Sequence, residues 1–73
     1  MSRANSRKRY PPTVDDLAIM QQIADGEQLP QIAATRGVTV QSMKNRMRVI
    51  YDRMGADNRA HAVAMGFRRG LLT

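Results

Sequence analysis

Residues 38–55 read VTVQSMKNRMRVIYDRMG and set one lysine and three arginines among regularly spaced methionines and branched aliphatics. At about 100° per residue, Gln41, Lys44, Asn45, Arg48 and Asp52 share one sector of a helix. Val40, Met43, Met47, Ile50, Tyr51 and Met54 share another, and the two do not overlap. One face is therefore core. The other offers Gln, Lys, Asn and Arg, which suit the edges of bases: lysine and arginine reach guanine acceptors, and Asn or Gln can pair with adenine through two hydrogen bonds. A methionine stripe at this spacing is more often core filler than a ligand pocket.

Charges on a surface helix are ordinarily just solvated. What precedes this helix argues for more. Pro30 suits a first helical position, and a short helix fits Pro30 to Arg36, with Ile32, Ala33 and Leu29 inward. Gly37 ends it, Val38 is expected as a buried turn residue, and Thr39 caps the next helix. Helix, short turn, helix with a polar-basic outer face is the helix-turn-helix layout.

Working outward, Thr13 opens an earlier helix, with Asp16 as the acidic half of a capping box and Asp15 beside it at the positive end of the dipole. Leu17, Ile19, Met20, Ile23 and Ala24 give it an apolar face, and Gly26 ends it. A last helix runs from the cap Asn58 to about Arg69, and Gly70 closes it. Ala60, Val63, Ala64 and Phe67 form one of its stripes; Ala62, Met65, Gly66 and Arg69 form another. A helix apolar on two sides is packed twice. Small residues at 62 and 66 suggest close approach of a second copy, so Ala62, Met65, Gly66 and Arg69 are the expected dimer interface. Leu71 and Leu72 should tuck back onto the core. The chain thus divides into a flexible basic arm, 1–12, and an all-α domain, 13–73.

The chain has 73 residues, no cysteine, 12 Lys plus Arg and 6 Asp plus Glu. One domain is the ceiling, without disulfides or thiolate metal sites. A net charge of +6 points to a polyanion. No apolar run approaches a membrane span, and the N-terminus is not a secretory signal. Arg3, Arg7, Lys8 and Arg9 give the arm its charge, suited to phosphates or a minor groove. Residues 13–27 carry only acids, so that segment should face away from the polyanion. An enzyme is not expected: His61 stands alone, Asp15 and Asp16 are not a facing carboxylate pair, and neither a phosphate-cradling loop nor metal spacing is present. No cofactor, metal or small-molecule ligand is implied.

These landmarks together resemble the LuxR-type, or GerE-like, helix-turn-helix domain, from about Pro12 to Leu72. Thr13 with Asp16, IADG (23–26), QIAATRGVTVQSMKN (31–45), RMGADNRAHAV (53–63) and RRGLL (68–72) match its landmarks in order and spacing. Arg36 stands where the family has a hydrophobic residue, Met54 where it has leucine, and Pro12 and Val14 where leucine and proline usually flank the threonine. The resemblance implies a four-helix fold and transcription control through double-stranded DNA, the third helix in the major groove and the fourth making a homodimer that DNA can complete. Carried over by position, Lys44, Asn45 and Arg48 become base readers, and Gln41, Ser42 and Arg46 phosphate contacts. It further implies a stand-alone, cytoplasmic, nucleoid-associated regulator of bacterial or phage origin, with RNA polymerase as a second partner. The alternative is a small protein-interaction module, such as a phage-encoded inhibitor or adaptor acting on RNA polymerase or a host regulator. A sequence-tolerant RNA or nucleoid binder lacks its stacking aromatics, since Tyr10, Tyr51 and Phe67 are the only ones and two are expected in the core.

Overall fold

The computed structural model describes residues 11–73. The arm's Arg3, Arg7, Lys8 and Arg9 lie outside the described residues. Four helices follow in order: α1 Val14–Ala24, α2 Leu29–Thr35, α3 Val40–Met54 and α4 Arg59–Arg68, with no strand among the described residues. Among the described residues no helix is long and apolar enough to cross a membrane.

Local chemistry fixes each start. The Thr13 amide donates to Asp16 Oδ2 at 2.9 Å, and the Asp16 amide to Thr13 Oγ1 at 3.0 Å, a complete capping box. Thr39 Oγ1 accepts from the Ser42 amide at 3.0 Å, and Asn58 Oδ1 from the His61 amide at 2.9 Å. α2 begins one residue before the proline expected to open it, because the Gln28 amide donates to Gln31 Oε1 at 3.2 Å and caps the turn from outside. Gly55 ends α3 with φ 75°, a left-handed cap that any side chain would strain.

The core is Ile19 and Met20 of α1, Ile32 and Ala33 of α2, Met43, Met47, Ile50 and Met54 of α3, Ala62 of α4, and Leu72. α3 buries one residue per turn, the methionine–isoleucine stripe read from the sequence. Each fully buried aliphatic of this size contributes about 1.5–3 kcal/mol. Two turn residues differ from expectation. Val38 is 42% exposed: its amide is tied to Ala33 O at 3.0 Å, and its side chain borders an open cleft with Ile19 and Met43 and is not closed into the core. Val40, in the first turn of α3, is also exposed.

α4 corrects the sequence reading most. Ala62 is fully buried and Gly66 is buried too, so the stripe assigned to a second copy faces this chain's own interior. After Gly70 the chain turns back, with the Leu71 amide on Gly66 O at 2.8 Å, and Leu72 fills the space over Gly66. A Cβ on Gly66 would stand 2.5 Å from Leu72 Cδ1. The small residues therefore admit Leu72, not a partner. Met65 is half-buried against the core, and Arg69 is exposed. The other stripe is the more open one: Ala60 is exposed, Phe67 is 47% exposed and Ala64 is half-buried, while Val63 is half-buried against the core. Phe67 was one of the aromatics available for the core; Tyr51 is half-buried.

Candidate nucleic-acid interface

α2, the Gly37 turn and α3 present one continuous outer surface. Gln41, Ser42, Lys44, Asn45, Arg48 and Asp52 are all exposed on it, with Met43, Met47, Ile50 and Met54 buried beneath. The Gln41 amide nitrogen donates to Asn45 Oδ1 at 3.2 Å, which orients both amides along the helix. The Asn45 NH2 group and the Gln41 carbonyl take no part in that bond, one donor and one acceptor group one turn apart. Among the described residues neither Lys44 nor Arg48 forms an ion pair. Like charges one turn apart cost a helix a few tenths of a kcal/mol. The surface thus carries two exposed cations, Lys44 and Arg48, one turn apart, with Asp52 one turn beyond Arg48.

Arg46 lies beside this face but is already engaged. Its Nη2 donates to Asp15 Oδ2 at 2.9 Å and to Asp16 Oδ1 at 3.0 Å, and its Nε to Asp16 Oδ1 at 3.3 Å. Arg53 Nη1 meets Asp16 Oδ2 at 2.6 Å, and Arg36 Nη1 meets Asp15 Oδ1 at 2.7 Å. Arg36 Nη2 also donates to Gln22 Oε1 at 3.3 Å. Three arginines and two aspartates thus join α1, the α2 cap and α3. Within the acidic stretch expected to face away from the polyanion, Asp15 and Asp16 pair with arginines of α3 and of the α2 cap.

Asp16 is fully buried, an expensive place for a carboxylate unless it is well partnered. Burial alone would raise its pKa. The Thr13 amide, Arg53 and Arg46 together outweigh that and hold it below the ordinary aspartate value. Asp15 is held low by its hydrogen bonds to Arg36 and Arg46, and Arg46 is raised mainly by Asp16. The sequence reading missed this cluster. One signal was available: Arg46 and Arg53 are seven residues apart, hence on one stripe of α3.

Between α1, the turn and this stripe lies an open cleft of about 490 Å³, bordered by Ile19, Val38, Met43 and Val49 and by Asp15, Arg36 and Arg46. On α4, His61 Nδ1 accepts from the Asp57 amide at 3.1 Å, so the histidine is part of the helix's start.

The chain is similar to the transcriptional regulatory protein YdfI of Bacillus subtilis (strain 168), with 33% identity over 61 residues. The matched region covers 84% of this chain and 29% of that protein, so the chain spans less than a third of its relative's length. No family model matches the chain, and no solved structure matches it. A small bundle of four helices and a regulator as relative fit a helix-turn-helix protein.

Proposed function

We propose that the protein is a sequence-specific, double-stranded DNA-binding transcriptional regulator of the LuxR type and not an enzyme. α3 enters the major groove. Lys44, Asn45 and Arg48 read base edges, while Gln41 and Ser42 contact phosphates near the helix start. The observation that carries this reading is the exposed Gln41–Lys44–Asn45–Arg48 row, backed along its whole length by buried Met43, Met47 and Ile50. The net charge of +6 and the similarity to a transcriptional regulator support it. The order of the helices and their Thr13, Thr39 and Asn58 caps supports the LuxR type.

One such helix contacts few base pairs, so a two-fold pair is part of the proposal. It uses the more open side of α4, Ala60, Ala64 and Phe67, in place of the buried Ala62 and Gly66. Selection of bound sequences from a random duplex pool tests the whole reading. The expected result is an enriched near-palindrome with half-sites about one DNA turn, 34–36 Å, apart. A pool that stays random after selection overturns it.

The protein-interaction alternative is favoured by one observation, the valine-bordered cleft beside α3. Under that reading Val49→Asp abolishes partner binding, whereas Arg48→Ala does not.

A further inference from the structure

Two guanidinium groups from different elements converge on one carboxylate. Arg36, at the end of α2, approaches Asp15 Oδ1 at 2.7 Å, and Arg46 of α3 approaches Oδ2 at 2.9 Å. Both arginines are partly open to solvent and the Asp15 side chain is 53% exposed, so the meeting point lies at the surface, not in the core. It also borders the reading face, one residue from Asn45 and one turn from Ser42. Two forks aimed at one spot from two sides suit a tetrahedral dianion or phosphodiester as well as they suit a carboxylate.

Resting on the DNA-binding reading above, we propose that Arg36 and Arg46 form a phosphodiester site that Asp15 occupies in the free protein. Asp15 thereby sets how tightly the protein holds DNA of arbitrary sequence.

Three features support the exchange. Exposed ion pairs are weak, so Asp15 is a replaceable occupant. Buried Asp16 is not replaceable in this way: it keeps Arg53 and the Thr13 amide, and it anchors Arg46 from the other side when Asp15 lets go. Arg36 Nε is buried without a hydrogen-bond partner, so its present pose leaves a donor unused that a re-aimed guanidinium can satisfy. The consequence is directional. An intramolecular carboxylate competes with every phosphate equally, but it does not compete with bases. It lowers affinity for all DNA alike and leaves the contrast between target and random sequence to α3.

The test is Asp15→Asn in the full chain, titrated into a fluorescent duplex of random sequence at several salt concentrations. The expected result is affinity raised roughly three- to tenfold near 0.1 M salt, with the salt slope steeper by about one to two. Asp15→Ser gives the same gain, and circular dichroism confirms that each variant keeps its helices. In an Arg36→Gln background, Asp15→Asn gains less than half as much. A merely structural Asp15 would weaken binding when removed, not strengthen it. Unchanged or reduced affinity with an intact fold overturns the proposal.

Tripolyphosphate separates this proposal from the DNA reading. Followed by the Arg36 and Arg46 Nε–H resonances, it binds Asp15→Asn at several-fold lower concentration than wild type if the site exists, whether or not the protein binds duplex. Equal response in both proteins overturns the site.

Discussion

Arg53, in the last turn of α3, places Nη1 2.6 Å from Oδ2 of Asp16, in the first turn of α1. The pair joins the start of α1 to the end of α3 across 37 residues of chain. Asp16 is fully buried, so removing the arginine leaves a carboxylate short of one of its cations. Arg53→Met should cost about 3 kcal/mol in urea unfolding, within the range for breaking a buried pair. A cost below 1 kcal/mol would show that Arg46 alone satisfies Asp16.

Acid should act through the same residues. Asp15 and Asp16 titrate below the ordinary aspartate value in the folded protein. For a depressed carboxylate, the folded state binds fewer protons than the unfolded one. The stabilisation is therefore complete above the unfolded pKa and is lost as pH falls through the folded one. Stability should be level above about pH 5 and decline steadily below about pH 4. Asp16→Asn should lower the plateau and flatten the decline. An equal acid slope in the variant would place the titrating groups elsewhere.

Gly66 offers a sign test. In a helix interior, Gly→Ala usually stabilises by about 0.5–1 kcal/mol. Here the new methyl meets Leu72 Cδ1 at 2.5 Å and Cγ at 2.7 Å. Gly66→Ala should therefore destabilise, by about 1 kcal/mol net, as Leu72 is displaced. In a Leu72→Ala background the same substitution should become stabilising. Thermal melts of the four proteins in this cycle check it; stabilisation in both backgrounds would show that the C-terminal segment yields freely.

For the reading face, Arg48→Ala should cost about 1–3 kcal/mol at the preferred site and relax preference at one or two positions. Equal losses on selected and random duplexes would remove Arg48 from base readout.

Pairing through α4 predicts that Phe67→Asp leaves the helices and the half-site affinity intact but abolishes cooperative occupancy of a full site. Phe67 is 47% exposed, so the substitution should be tolerated by the protomer. Two-to-one binding with undiminished cooperativity would put the interface on another surface.

The four helices were legible in the sequence because their signals are local. Thr13 with Asp16, Thr39 and Asn58 act within three residues, and the methionine stripe of α3 repeats within one turn. The Gln41–Lys44–Asn45–Arg48 face was legible for the same reason. The arginine–aspartate cluster was not, since its members are 21 to 37 residues apart and nothing local pairs them. The orientation of α4 was ambiguous because two stripes were nearly equal in apolarity. The return of Leu72 onto Gly66 breaks the tie, and only the chain's path after Gly70 shows it. Arg36 stood out as a charge where a hydrophobic residue was expected, and its partners Asp15 and Gln22 on α1 explain how the turn accommodates it.

Four of the ten core residues, Met20, Met43, Met47 and Met54, are thioethers, each no more than 4% exposed. Oxidation to the sulfoxide would put a polar, chiral group where only apolar atoms fit. While the domain is closed, peroxide cannot reach these sulfurs; during each opening it can. Three of them lie on α3, beneath its exposed polar face, so an opened and oxidised molecule would lose the support of that helix on reclosing. Chemical ageing of this protein is thereby coupled to how often it unfolds, and any bound partner that holds it closed also shields its sulfur.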